Sequence, residues 1–246
     1  PPELHEVLKT SAEIFSQSNG AFDPTVGKLV RLWGFGPDGH KQAPSAESIQ
    51  KTMKSVGFDK IIIKEGKASK INAQTEINLS AIAKGYAVDL IASKIKSLGY
   101  TDFLVDIGGE VYASGNRDDK GQGWLVGIAE PSENGHKNLM SVGLKDMAVA
   151  TSGDYNNFYY ENGKKISHTI DPVNGYPSEH NLVSATVFNP SCMKADAYAT
   201  ALMSMGEEKG MKFADKNGIA AILFIKNKNG NITVLFSKQA KIFLGD

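Results

Sequence analysis

The sequence predicts an α+β fold, a single domain with a mainly antiparallel sheet core and flanking helices. Helical patterning gathers toward the ends of the chain and strand patterning toward its middle, where a regularly alternating α/β protein would interleave the two. Short apolar runs separated by Gly and Asn turns crowd residues 103–188, as in antiparallel sheets. At 246 residues, with no low-complexity linker and no internal repeat, the chain can bury one large core.

The elements follow in order. From Glu3 to Ser18 the apolar residues Leu4, Val7, Leu8, Ile14 and Phe15 recur at helical spacing, and Asn19-Gly20 stops the helix. The loop Gly20-Ala21-Phe22-Asp23-Pro24-Thr25-Val26-Gly27 leads past Leu29, Val30 and Leu32 into the turn-rich Gly34-Phe35-Gly36-Pro37-Asp38-Gly39. A short helix is predicted near Ser45 to Ser55. Lys60 to Ile63 then reads as a strand that Glu65-Gly66 turns back into a second one. The best-patterned helix starts near Ser80 and runs to Leu98, with Ile82, Tyr86, Leu90, Ile91 and Ile95 on one stripe and Gly99 beyond its end. Strands are predicted over 103–107, 111–114, 124–128, 140–144, 148–151, 157–161, 166–170 and 182–188. A helix over 195–205, another over 207–217 and strands over 220–225 and 232–236 complete the chain.

Lys and Arg total 27 and Asp and Glu 27, so there is no general basic field of the kind that holds nucleic acid. No nucleic-acid partner is expected, and an anionic ligand has to be held by local groups. The single cysteine, Cys192, excludes an internal disulfide framework and a cysteine zinc cluster. No apolar run approaches the ~20 residues of a bilayer-spanning helix, so no transmembrane segment is expected. The chain opens at Pro1-Pro2, directly before an amphipathic helix, and some of the domain is expected upstream.

Two segments carry the strongest chemical signal. In Lys194-Ala195-Asp196-Ala197-Tyr198-Ala199-Thr200, Asp196 and Thr200 stand four residues apart and share a helix face. Oxygen donors without Cys or a His cluster suit Mg²⁺ rather than zinc. An Asp near a helix start also serves as a cap or first-turn charge, and the segment alone leaves both open. In Ile166-Ser167-His168-Thr169-Ile170-Asp171-Pro172, running into Gly175-Tyr176-Pro177, alternation puts His168 and Ile170 on one side of a strand and Thr169 on the other. His168 is then a general base near neutral pH, or a hydrogen-bonded residue closing the strand beside the Asp-Pro turn.

Lys84 falls in the first turn of the long helix, where free N–H groups and the helix dipole favour anions; it is a phosphate contact or a surface lysine. Asp106-Ile107-Gly108-Gly109-Glu110 ends a strand in a glycine turn that lets backbone approach a ligand closely. A P-loop is excluded, since Gly-x-x-x-x-Gly-Lys-Ser/Thr does not occur.

In their order along the chain, Gly20-Ala21-Phe22-Asp23-Pro24-Thr25, Ala81-Ile82-Ala83-Lys84-Gly85-Tyr86-Ala87, Asp106 to Glu110, Ser152-Gly153-Asp154-Tyr155, His168 to Pro172 with Gly175-Tyr176-Pro177, and Ala195 to Thr200 resemble the ApbE family, the FAD:protein FMN transferases. The resemblance implies a domain of ApbE-like, T-fold-like architecture that binds FAD and Mg²⁺. It implies transfer of FMN to a threonine or serine hydroxyl of another protein, with AMP released. The acceptors it implies are flavin-carrying subunits of membrane redox complexes, such as the sodium-pumping quinone reductase. It places the metal on the carbonyl of Ala81 with Asp196 and Thr200, and His168 as the base. Lys84 and Asn78 would lie near the FAD phosphates and nucleotide, Ala21, Phe22 and Asp23 would line the pocket, and Ile170 would touch FAD. Family members are mostly exported, in the periplasm or lipid-anchored at the outer face of the cytoplasmic membrane.

This sequence departs from the family pattern at three points. Asn78 stands where Asp is frequent, Asn174 stands where Thr is usual, and the family's N-terminal strand, part of the flavin pocket, is expected upstream of Pro1. Water in place of the acceptor would give FMN and AMP, an FAD pyrophosphatase. A non-catalytic flavin carrier would need none of His168, Asp196 and Thr200.

Overall fold

The computed structural model describes all residues except 37, 38, 40, 41, 131–136, 155, 156, 162, 228 and 246. Pro37 and Asp38 of the expected turn, and Tyr155 of the Ser-Gly-Asp-Tyr segment, therefore lie outside the described residues. The elements are α1 (Pro2–Gln17), α2 (Gly27–Leu32), α3 (Ala46–Met53), β1 (Ile61–Lys64), β2 (Lys67–Lys70), α4 (Ala83–Ser97), β3 (Phe103–Ile107), β4 (Glu110–Ser114), β5 (Trp124–Glu130) and β6 (Lys137–Leu144). They continue as β7 (Met147–Gly153), β8 (Phe158–Glu161), β9 (Lys164–Ser167), β10 (Leu182–Asn189), α5 (Cys192–Asn217), β11 (Ala220–Lys226), β12 (Ile232–Phe236) and α6 (Lys238–Leu244). Among the described residues no helix is long and apolar enough to cross a membrane.

A six-stranded sheet, ordered β12-β11-β10-β7-β4-β3, forms the core, and every neighbouring pair in it is antiparallel. Three two-stranded ribbons, β1-β2, β5-β6 and β8-β9, stand outside it. The architecture is the α+β arrangement that the sequence predicts. Seven of the eight residues of β10 are buried, as a strand covered on both faces requires. One face packs under α5 through Ala185, Val187, Leu202 and Met203. The other packs Phe188, Ile222 and Phe224 toward β5, β6 and α6.

The first residue of α5 is Cys192, three earlier than expected. Ser191 accepts from the Lys194 amide as its cap. Asp89 of α4 takes the Ser191 hydroxyl at 2.7 Å and the amides of Cys192 and Met193 at 2.8 and 3.0 Å. The expected division before residue 207 is a break at Gly206, whose φ of 75° and ψ of 177° leave the helical region.

The stripe predicted for α4 holds in part: Ile82 is buried and Tyr86 and Ile95 pack against core clusters, but its middle does not face inward. Leu90 and Ile91 are exposed, while Gly85, Val88 and Ala92 are buried. The face turned to α5 is selected for smallness rather than hydrophobicity: a Cβ on Gly85 would lie 2.7 Å from the carbonyl carbon of Cys192 and 2.8 Å from Cα of Met193. The strand predicted over 166–170 stops at Ser167, and Ile170 pairs only with Pro177 in an isolated bridge. Two short helices, α2 and α6, appear where the sequence suggested none.

Candidate functional site

A cavity of about 470 Å³ opens between the 21–30 segment, the entry to α4, the end of β7, residues 168–172 and α5. All the singled-out residues line it: Ala21, Phe22 and Asp23; Asn78, Ala81 and Lys84; His168 and Ile170; Asp196 and Thr200. Thr169 lines it as well, contrary to the alternation expected of a strand, because regular β structure has already ended at Ser167.

The oxygen donors sit on α5 and at the entry to α4. Asp196 is in the second turn of α5, with Ser191 and Asp89 already capping the helix, so its carboxylate is not needed as a cap. It is 4 % exposed, and burial, reinforced by the nearby Glu110 charge, pushes its carboxyl up to about 6. One oxygen accepts the Gly85 amide at 3.1 Å, the donor that a regular helix would direct at the carbonyl of Ala81. Thr200, one turn on, has its hydroxyl 3.2 Å from that of Ser152 on β7. A buried carboxylate, a hydroxyl and a backbone carbonyl on one cavity wall are a hard-cation donor set and fit Mg²⁺.

The anion side is Lys84 in the first turn of α4, a helix with no side-chain cap bond at its start. Its ammonium lies 2.7 Å from Oε2 of Glu110, a residue 2 % exposed that also lines the cavity. Burial raises the Glu110 carboxyl above its ordinary range, and the Lys84 charge pulls the other way. Sequence reasoning treated Asp106 to Glu110 as a glycine turn and missed the Glu110 side chain. The available signal was a lone carboxylate opening the apolar run Val111-Tyr112-Ala113. The Asn78 side chain folds back on its own segment, Oδ1 accepting the Ser80 amide at 2.9 Å and the Ser80 hydroxyl at 2.5 Å, while its backbone N–H donates to the Pro24 carbonyl at 2.7 Å.

His168 follows β9 directly. Its backbone N–H and Nδ1 both engage the carbonyl of Asn157 at 3.1 Å. A carbonyl only accepts, so Nδ1 carries the proton of the neutral ring and Nε2 is left as the base. Phe35 meets the ring edge-on at 6.2 Å. Burial holds the imidazole below its ordinary value, against the Asn157 hydrogen bond and the Asp154 charge, which favour the cation.

The remaining wall is scaffold. Phe22 is 1 % exposed within the main core. Asp23 accepts the Thr25 amide and hydroxyl, each at 2.7 Å, and the Phe58 amide at 3.2 Å, so its side chain ties the loop together. Burial raises its carboxyl despite those bonds. The turn after Ile170 is closed by Asp171, which accepts from Val173 N and from Asn174 Nδ2 at 2.9 and 2.7 Å. Asn174 Oδ1 in turn accepts from Tyr176 N at 2.8 Å, so the departure at Asn174 stays within the turn.

The sequence model of the ApbE family matches residues 1–223. A protein of Haemophilus influenzae named FAD:protein FMN transferase is 39 % identical over 98 % of this chain and 71 % of its own length. An Escherichia coli K12 protein of the same name is 34 % identical over 98 % of this chain and 70 % of its own. Among solved structures, the apo flavinyl transferase ApbE of Pseudomonas stutzeri superposes with a TM-score of 0.90 at 36 % identity, covering 100 % of this chain and 76 % of that one. The flavin transferase ApbE of Vibrio cholerae gives 0.87 at 35 % identity, over 99 % and 77 %.

Proposed function

Since the chain belongs to the ApbE family, we infer that it is a flavin transferase that moves FMN from FAD to a threonine or serine hydroxyl of an acceptor protein, releasing AMP. The observation that carries this reading is one cavity lined by a base, a cation and an oxygen-donor set, His168, Lys84 and buried Asp196 with Thr200.

Nε2 of His168 takes the proton of the acceptor hydroxyl as its oxygen forms a bond to the FMN phosphorus. The pyrophosphate P–O bond breaks and the bridging oxygen leaves with AMP. Such a base contributes about 10²–10⁴ in rate. Lys84, exchanging Glu110 for phosphate oxygens, holds negative charge beside the first turn of α4. Asp196, Thr200 and the Ala81 carbonyl would hold Mg²⁺, which when bound neutralises pyrophosphate charge as a Lewis acid. Phe22, Val30 and Phe35 give the cavity an apolar wall of the kind that, by limiting water, favours transfer over hydrolysis.

Family precedent supports flavin-carrying subunits of membrane redox complexes, of the sodium-pumping quinone reductase type, as acceptors. It also supports a periplasmic or lipid-anchored place at the outer face of the cytoplasmic membrane. The test is incubation with FAD and Mg²⁺, with and without the flavin-carrying domain of such a reductase, following AMP, free FMN and acceptor mass. A mass gain of one FMN, lost with chelator and reduced about 10²–10⁴-fold in His168→Ala, is expected. Free FMN without labelled acceptor would make the protein a hydrolase, and bound FAD with neither product would make it a carrier.

A further inference from the structure

Glu110 opens β4 directly after the Gly108-Gly109 turn, and its pairing with Ile107 across the hairpin fixes its backbone. All five residues of the strand are buried. The carboxylate is therefore set in a rigid wall, with its side chain 3 % exposed. Lys84 is its opposite: the ammonium ends a long flexible stem in the first turn of α4, and the side chain is 49 % exposed. The two meet at 2.7 Å, and among the described residues Oε2 of Glu110 has no further hydrogen-bond partner.

A carboxylate at this distance does to the ammonium what a phosphate oxygen would: it accepts an N–H and cancels charge. The cation that the cavity wall offers to an anion is thus also claimed from inside the fold. A phosphate group that engages Lys84 works against Glu110 in two ways. It draws the ammonium from a buried carboxylate, which then loses the charge that offsets its burial, and it brings a further negative charge beside it. The Glu110 charge already bears on Asp196, and the Lys84 charge offsets it. No ligand has to reach the enclosed carboxylate for this, because the half-exposed ammonium is the group that both anions seek.

Resting on the transferase reading above, which puts the FAD phosphates beside Lys84, we propose that Glu110 is an internal competitor for phosphate: its carboxylate claims the Lys84 ammonium and so weakens the hold on FAD and on the AMP that leaves. Lys84 supplies the attraction and Glu110 limits it, so that product is released rather than retained. A residue placed only to aim Lys84 would act in the opposite sense, and its loss would weaken binding.

Glu110→Gln removes the charge and keeps the shape, while Glu110→Asp keeps the charge and draws it back from Lys84. Affinities for FAD and for AMP are measured by calorimetry in Mg²⁺ buffer, for each variant alone and combined with Lys84→Gln. Glu110→Gln should bind both nucleotides about tenfold more tightly, with Glu110→Asp between it and wild type, and the gain should vanish in the Lys84→Gln background. Unchanged or weaker binding in both Glu110 variants, or a gain that persists without Lys84, would overturn the competition and leave the transferase reading in place. A wild-type protein that binds neither nucleotide would overturn both.

Discussion

Among the described residues His168 has a hydrogen-bond partner on one ring nitrogen, Nδ1, and that leaves Nε2 as its basic atom. Asn157 fixes Nδ1, and burial disfavours the imidazolium, so the ring stays neutral to lower pH than a free histidine. The sign follows for both activity and stability. The base form persists as pH falls past 6.5, and stability drops below that pH, because the unfolded chain binds the proton more readily. An NMR titration of the imidazole should give a midpoint below the ordinary 6.5, and one at or above it would show that burial does not outweigh the Asn157 hydrogen bond and the Asp154 charge. At this scale the sequence was legible where partners are local. Asp196 and Thr200 are one helical turn apart, so their shared face is written in their spacing. The Lys84–Glu110 pair joins a helix start to a strand start, and nothing in either segment announces the other.

Elements were legible where a period had room to show itself. Eight-residue β10 and sixteen-residue α1 were read from their patterns, whereas six-residue α2 and seven-residue α6 offer too few positions to establish one. The long helix α4 was found with Ile82, Tyr86 and Ile95 facing inward as expected, but Leu90 and Ile91 were misplaced, since a hydrophobic stripe marks a buried face only when the neighbour keeps an ordinary distance. Here α4 and α5 touch through Gly85, and that contact brings the Gly85 amide to Asp196. Gly85→Ala should push the helices apart and cost about 1–3 kcal/mol by overpacking, with transfer activity lost along with it. Urea denaturation measures the cost, and an unchanged midpoint would show that the two backbones are not in contact.

Across the whole molecule, the order of strands was beyond the sequence, because pairing β7 with β10 and β4 depends on long-range closure rather than local pattern. The same topology sets the hierarchy of stability. Central β7 and β10 are hydrogen-bonded on both sides, whereas all four residues of β2 are exposed in an isolated ribbon. Amide exchange followed by mass spectrometry should find β10 slowest and β1-β2 among the fastest; equal protection in the ribbon would contradict this ranking.

The cavity draws one wall from Ala21 to Gly27, before the sheet begins, and another from Asp196 to Ser204, after most of it is complete. No N-terminal stretch that stops short of α5 can therefore hold both walls. While the chain is being synthesised, or threaded through a translocation channel, the flavin nucleotide has nowhere to bind until α5 has emerged and docked. Loading with FAD is in consequence a late event in the life of this polypeptide. The two walls of the cavity come together only in the finished fold.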